Sequence, residues 1–178
     1  MPRPVVCVYI ALSLDGLIAR DDGGLDWLDA MQVPGEDYGY AAFYATIDTV
    51  VIGRATYDKV LTFGEWPFAG RRVVVLTHRA LDAKNGERTH AGALNPLLQS
   101  LAGKGAQRLY LDGGRAVRQG LREDVVDEMT LSIAPRLLGE GRPLFERGLP
   151  ESGWSLRGSR SFASGLVQSD YRRQRGPA

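Results

Sequence analysis

Four short apolar, largely β-branched runs recur along the chain with helix-compatible segments between them, and this alternation limits the fold more than any other feature. The runs are VVCVYIAL (5–12), TVVIG (49–53), RVVVLT (72–77) and RLYLDG (108–113). Each is continuously apolar, the pattern of a short strand buried on both faces. Helices are predicted over EDYGYAAFYATI (36–47), ATYDKVLTF (55–63), LNPLLQSLAG (94–103) and RAVRQGLRE (115–123). The first carries acidic residues in its first turn, as the macrodipole favours, and the third ends on a glycine. The last third differs. DEMTLSIAP (127–135) reads as a strand, a glycine- and proline-rich connection follows, and SLRGSRSFASGLVQSDYRRQ (155–174) reads as two strands about a turn near Ser164-Gly165. The expectation is an α/β fold with a mainly parallel central sheet, flanking helices and an antiparallel C-terminal hairpin at one edge.

At 178 residues the chain is expected to form one domain with a sizeable core. A formal net charge of +1 gives no electrostatic case for nucleic acid or membrane as partner. Arg172, Arg173 and Arg175 near the C-terminus read as a solvated end. Cys7 is the sole cysteine, which rules out an intramolecular disulfide, and its apolar surroundings suggest a small buried thiol. The first apolar run is too short to span a membrane and leads into charge, so a cytoplasmic protein is expected. Two histidines and one cysteine cannot by themselves build a tetrahedral zinc site.

In open parallel sheets, ligands bind beyond the carboxyl ends of the strands. Four polar or glycine-rich turns fall there: SLDG (13–16), GRAT (53–56), THRA (77–80) and DGGR (112–115). Gly113 and Gly114 follow a strand and open a helix, where backbone N–H groups and the dipole favour a phosphate; a plain tight turn has the same sequence. Arg54 and Thr56 add a second helix start with a cation and a hydroxyl, and Thr77, His78 and Arg79 a third polar turn. Three such turns suggest a dinucleotide. The G-x-G-x-x-G fingerprint is absent, so binding would not use the usual first turn of a Rossmann unit.

Taken in order, residues 5 to 146 resemble the dihydrofolate reductase-like superfamily, which includes dihydrofolate reductase and the pyrimidine reductase domain of riboflavin biosynthesis. IALSLDGLIA (10–19) resembles its first strand and loop, which implies that Ala11 and Ile18 flank a nicotinamide. VVIGRATYDKV resembles the V-x-x-G-R-x-T-[YW] segment, which implies NADPH phosphate binding by Gly53, Arg54 and Thr56, with Ala55 alongside. FAGRRVVVLTH resembles the next strand and its adenosine-side loop, implicating Leu76, Thr77, His78 and Arg79. LYLDGGRAV resembles the turn facing the pyrophosphate, implicating Asp112, Gly113, Gly114, Arg115 and Ala116. The superfamily carries a cis peptide in that turn, expected here at Asp112-Gly113 or Gly113-Gly114. Its fold implies a sheet of about eight strands, and both the family and the C-terminal edge strands suggest a homodimer.

The resemblance leaves the substrate open. Asp37 stands 16 residues before Gly53, where dihydrofolate reductase has the carboxylate that holds its pterin ring. Ser132 matches the hydroxyl that supports this carboxylate, and Arg71 the cation for the folate tail. Asp37 is equally placed to serve as a helix N-terminal charge, and Arg71 as a strand-flanking cation; if the substrate is a ribose phosphate, Arg71 or Arg72 would bind that group. Trp27 and Trp66 either wall the pocket or pack in the core. SLDGLIA and the D-G-G turn, with DEMTLSIAP and the following RLLGEG, resemble the pyrimidine reductase branch instead. The expected activity is NADPH-dependent hydride transfer to a small pyrimidine- or pteridine-linked molecule, with Asp37 assisting protonation. The alternatives are dihydrofolate reductase and a non-catalytic NADPH- or antifolate-binding module.

Overall fold

The computed structural model describes residues 2–176. In chain order its elements are β1 (Val5–Leu12), β2 (Leu17–Ala19), α1 (Asp26–Asp29), α2 (Tyr40–Ala45), β3 (Thr49–Gly53), α3 (Arg54–Val60), β4 (Arg72–Leu76) and β5 (Arg88–His90). Then follow α4 (Leu94–Ala102), β6 (Arg108–Asp112), α5 (Gly114–Arg122), β7 (Glu128–Ile133), β8 (Arg142–Pro143), β9 (Trp154–Ser161) and β10 (Val167–Arg173). Eight strands make one sheet in the order β5-β4-β3-β6-β1-β7-β10-β9, and β2 pairs with β8 in a small second sheet. The pairings from β5 to β7 are parallel; β10 runs antiparallel to both β7 and β9.

The four apolar runs become the central strands because only a strand covered on both faces can hide them. On one face Val6, Val8, Val51, Val74, Leu109 and Leu111 pack against α4 and α5 through Leu94, Leu98, Leu101 and Val117. On the other, Val50, Ile52, Val73, Val75 and Tyr110 meet Ile47, Tyr57, Val60 and Phe68. Burying one such side chain is worth about 1.5–3 kcal/mol, so these two layers dominate the stability. Cys7 lies inside the second, and burial pushes its thiol up to about 12. Trp66 packs edge-on to Tyr57 and Phe68 against the same layer, and Trp27 is 3% exposed, so both candidate tryptophans pack in the core.

The structure corrects several boundaries. The helix expected over 36–47 shrinks to α2 because Tyr38 and Gly39 take left-handed φ values of 58° and 86°, which no helix tolerates. The three- and two-residue strands β2, β5 and β8, and the single turn α1, are too short to give a periodic signal. Of the C-terminal arginines, Arg172 is exposed as expected of a solvated end, whereas Arg173 and Arg175 are tied down. Arg173 pairs with Asp124 at 2.7 Å, and Arg175 pairs with Asp127, so strand β10 continues into an ion-paired segment. Among the described residues no helix is long and apolar enough to cross a membrane, and no three His, Cys, Asp or Glu residues group to hold a metal.

Candidate functional site

Parallel pairing sets the ends of the central strands level. Gly53 at the end of β3 pairs with Leu76 at the end of β4, and Ile52 pairs with Asp112 at the end of β6. The turns read as phosphate-binding therefore emerge side by side, and they touch. A Cβ added to Gly113 would lie 2.4 Å from the Thr56 hydroxyl oxygen, and one on Gly114 would lie 2.2 Å from Ile18 Cδ1. Only glycine lets α3, β2 and the start of α5 meet this closely. Gly113 adopts φ 93° and ψ 135°, a backbone state that glycine supplies without strain. The cis peptide expected in this turn is absent: the described backbone has none, and the positive φ of Gly113 makes the turn instead.

Among the described residues no side chain caps the first turn of α5 or of α3, so backbone N–H groups at both helix starts lack a capping partner. Arg54 bonds Asp58 at 2.8 Å and donates to the Ala80 carbonyl at 3.2 Å, which ties α3 to the turn after β4. In that turn Thr77 Oγ1 accepts from the Arg79 backbone N–H at 3.0 Å, and His78 and Arg79 are exposed. Arg115 is exposed and Ala116 is buried beneath the turn, 3.8 Å from the Cβ position of Gly53. Ala55 is exposed on α3.

SLDG and RLLGEG, far apart in sequence, clasp each other. The Asp15 carboxylate accepts from Ser13 Oγ at 2.6 Å and from the backbone N–H groups of Gly139 at 2.7 Å and Leu138 at 3.1 Å. These bonds, the Ser13 hydroxyl first, hold its carboxyl down at about 2. The clasp fixes β2, and with it Ile18 over Gly114.

Beyond β1 the crevice changes character. Ala11 pairs with Ser132, Ser132 with Gln168, and Gln168 with Arg160, one level row across β1, β7, β10 and β9. Trp27 packs with Met31 and Ala134 against Ala11, and its buried Nε1 has no partner. Tyr9, Tyr40, Phe43 and Tyr110 form an aromatic wall, with ring centroids 4.8 Å apart for Tyr9–Phe43 and 5.2 Å for Phe43–Tyr110.

Asp37 is exposed, and its carboxylate accepts the backbone N–H groups of Gly39 at 2.8 Å and Ala41 at 3.0 Å. These two bonds lower its pKa, Gly39 contributing most. An ionised carboxylate of this kind accepts hydrogen bonds well and donates a proton poorly. Asp112 is the opposite case. Burial raises its pKa, with the Gly113 N–H at 2.8 Å opposing. Ser132 does not support Asp37: its hydroxyl oxygen accepts from Gln168 Nε2 at 2.9 Å. Arg71 lies over the Tyr44 ring at 5.1 Å and donates weakly to the Tyr44 carbonyl at 3.4 Å, while its buried Nε has no partner. Arg72 serves the opposite edge of the sheet, donating to the Lys104 carbonyl at 3.1 Å. Reading the chain alone missed Tyr9, Arg160 and Gln168. Nothing local marks them, since a tyrosine in an apolar strand and polar residues in an edge hairpin are ordinary.

Residues 4–168 match the family model described as the RibD C-terminal domain. The crystal structure of a Shewanella sp. PV-4 protein ascribed to riboflavin biosynthesis is 36% identical with a TM-score of 0.89, over 96% of this chain and 99% of that one. The diaminohydroxyphosphoribosylaminopyrimidine deaminase/5-amino-6-(5-phosphoribosylamino)uracil reductase of Thermotoga maritima gives 0.69 at 15% identity; it covers 97% of this chain, which spans 57% of that longer one. Dihydrofolate reductase from Enterococcus faecalis, complexed with NADP(H), gives 0.64 at 15% identity over 96% of this chain and 97% of that one. At 15% identity the last two speak to the fold alone, and that fold is the dihydrofolate reductase-like one expected.

Proposed function

The chain belongs to the RibD C-terminal domain family, and from that membership we propose an NADPH-dependent reductase of the 5-amino-6-(5-phosphoribosylamino)uracil reductase type, acting on a small pyrimidine- or pteridine-linked molecule. The observation that carries the proposal is the interlock at the strand ends, where Gly113 meets Thr56, Gly114 meets Ile18, and two helix starts lack side-chain caps. Backbone N–H groups without a cap, beside a hydroxyl and glycines that admit close approach, suit a pyrophosphate.

In this reading Gly53, Ala55, Thr56, Gly113, Gly114, Arg115 and Ala116 border the pyrophosphate. Arg54, Leu76, Thr77, His78 and Arg79 hold the phosphorylated adenosine ribose, and Ala11 and Ile18 flank the nicotinamide. A reduced nicotinamide, when bound, supplies the hydride. Asp37 accepts ring or amino N–H groups of the substrate in its ionised form, Trp27 backs the pocket from beneath Ala11, and Arg71 faces an anionic tail. Asp37 also assists protonation of the reduced bond, through water, since its lowered pKa favours the ionised form. The dihydrofolate reading draws less support, since the serine that would brace Asp37 is bonded to Gln168. We further expect a cytoplasmic homodimer, paired through the unprotected edge of β9, with no nucleic-acid or membrane partner.

The test is NADPH consumption by the purified protein over a panel containing the deaminated aminouracil ribotide and dihydrofolate. Oxidation with the ribotide supports the proposal. NADPH binding without oxidation of any candidate favours the non-catalytic module, and no NADPH binding at all defeats both.

A further inference from the structure

We propose that Gln168 and Arg160 are positioning residues that hold the substrate-side loop of Asp37 and Tyr38 from the C-terminal hairpin. The reductase reading supplies what the loop would hold; the positioning itself rests on independent observations.

Gln168 is 0% exposed, so its amide must find all its partners inside the protein. Its Nε2 lies 2.8 Å from the Tyr9 hydroxyl, 2.9 Å from Ser132 Oγ and 3.1 Å from the Tyr38 carbonyl. Its Oε1 accepts from Arg160 Nε at 2.8 Å and also from Nη2. A guanidinium donates only, so the amide oxygen must face Arg160, and the two protons of the NH2 are shared among the other three groups. The Tyr9 hydroxyl, accepting from Gln168, donates in turn to the Tyr38 carbonyl at 2.6 Å. Arg160 Nη2 reaches the same carbonyl at 3.4 Å. One backbone oxygen is thus addressed by β1, β9 and β10 together.

That oxygen belongs to the residue that most needs holding. Tyr38 has φ 58°, and a tyrosine in the left-handed region persists only where its surroundings over-determine it. The chain reversal at Tyr38 and Gly39 turns the Asp37 carboxylate back onto the Gly39 and Ala41 N–H groups. Arg160 also lies on Gly39, where an added Cβ would come 2.7 Å from Nη2. The network therefore sets where Asp37 stands. The cofactor-side turns at 53–56, 77–79 and 113–115 make none of these bonds, so the two halves of the cleft can be perturbed separately.

Gln168→Leu removes the polar contacts at similar volume. The expected result is about tenfold faster amide exchange over residues 33–41, the effect of one lost buried hydrogen bond. Exchange in β3 and β6 and the Kd for NADPH should stay unchanged. With the aminouracil ribotide as substrate, KM should rise about tenfold at nearly constant kcat. Gln168→Glu keeps an acceptor for Arg160 but loses the donors to Tyr9 and Tyr38, so it should loosen the loop as the leucine variant does. Arg160→Met, on the exposed edge, should shift exchange in the same direction to a smaller extent and provides a folded variant if burying leucine prevents folding. Unchanged exchange over 33–41, loosening spread evenly across the sheet, or failure of all three variants to fold overturns the proposal. If the wild-type protein oxidises no NADPH with the ribotide, the reductase reading falls while the exchange comparison still decides the positioning role.

Discussion

Replacing Gly113 by alanine tests the cleft most directly, because the structure separates its two costs. The first is conformational: φ 93° with ψ 135° is far from any well an L-residue prefers, which costs about 1–3 kcal/mol. The second is steric. The new Cβ would sit 2.4 Å from Thr56 Oγ1 and 3.2 Å from Thr56 Cβ, so α3 or the turn must move, at about 1–3 kcal/mol. A combined loss of about 2–6 kcal/mol leaves a domain of typical stability folded. It should lower Tm by roughly 4–24 °C at about 2–4 °C per kcal/mol. Since the part that moves is the proposed pyrophosphate seat, NADPH affinity should fall by about two orders of magnitude, read by fluorescence titration at a temperature where the variant is folded. Gly105→Ala is the control: φ is 82°, no neighbour lies within 4 Å of the new Cβ, and the position precedes β6, at the opposite end of the strands from Gly113. It should cost about 1 kcal/mol and leave NADPH affinity alone. A folded Gly113→Ala protein that binds NADPH as tightly as the wild type would refute the assignment of this turn.

Further outcomes follow from the carboxyl groups. Asp37→Asn removes the charge and leaves one side-chain oxygen where two accept the Gly39 and Ala41 N–H groups, so activity should be lost and Tm should fall by a few degrees, with NADPH affinity nearly unchanged; equal turnover would dismiss Asp37 from the site. The pKa of Asp112 is raised in the folded protein, so its favourable contribution is complete below the unfolded pKa of about 4 and disappears as pH climbs through the folded value. Asp112→Asn should therefore raise Tm at pH 7 and leave it unchanged near pH 3; identical shifts at both pH values would contradict the burial argument. Asp15 titrates the other way. Its bonds to Ser13, Gly139 and Leu138 are present above about pH 4 and are lost as pH falls towards about 2. Asp15→Asn should raise exchange at 136–141 at neutral pH and weaken NADPH binding through Ile18, and unaltered exchange there would rule out the clasp.

The sequence by itself determined the layered architecture and the position of the glycine-rich turns at the strand ends. Continuous apolar runs have no stable place except strands covered on both faces, and glycines directly after such strands mark backbone that must turn sharply or be approached closely. Both signals are local, which is why VVIGRAT and LYLDGGRAV could be placed on strand ends before any coordinates. Tertiary structure alone decided the other side. Tyr9 and Gln168 are 159 positions apart, yet one hydrogen bond joins them. Whether Ser132 meets Asp37 or Gln168 depends on the register of β7 against β10, which no local pattern encodes. The same holds for protons. Asp37 and Asp112 are identical as letters; one is ionised by backbone N–H groups in an exposed loop, while the other is pressed toward its neutral form by burial at the end of β6. A carboxyl's chemistry is set by its solvation and its neighbours, and those exist only once the chain has folded.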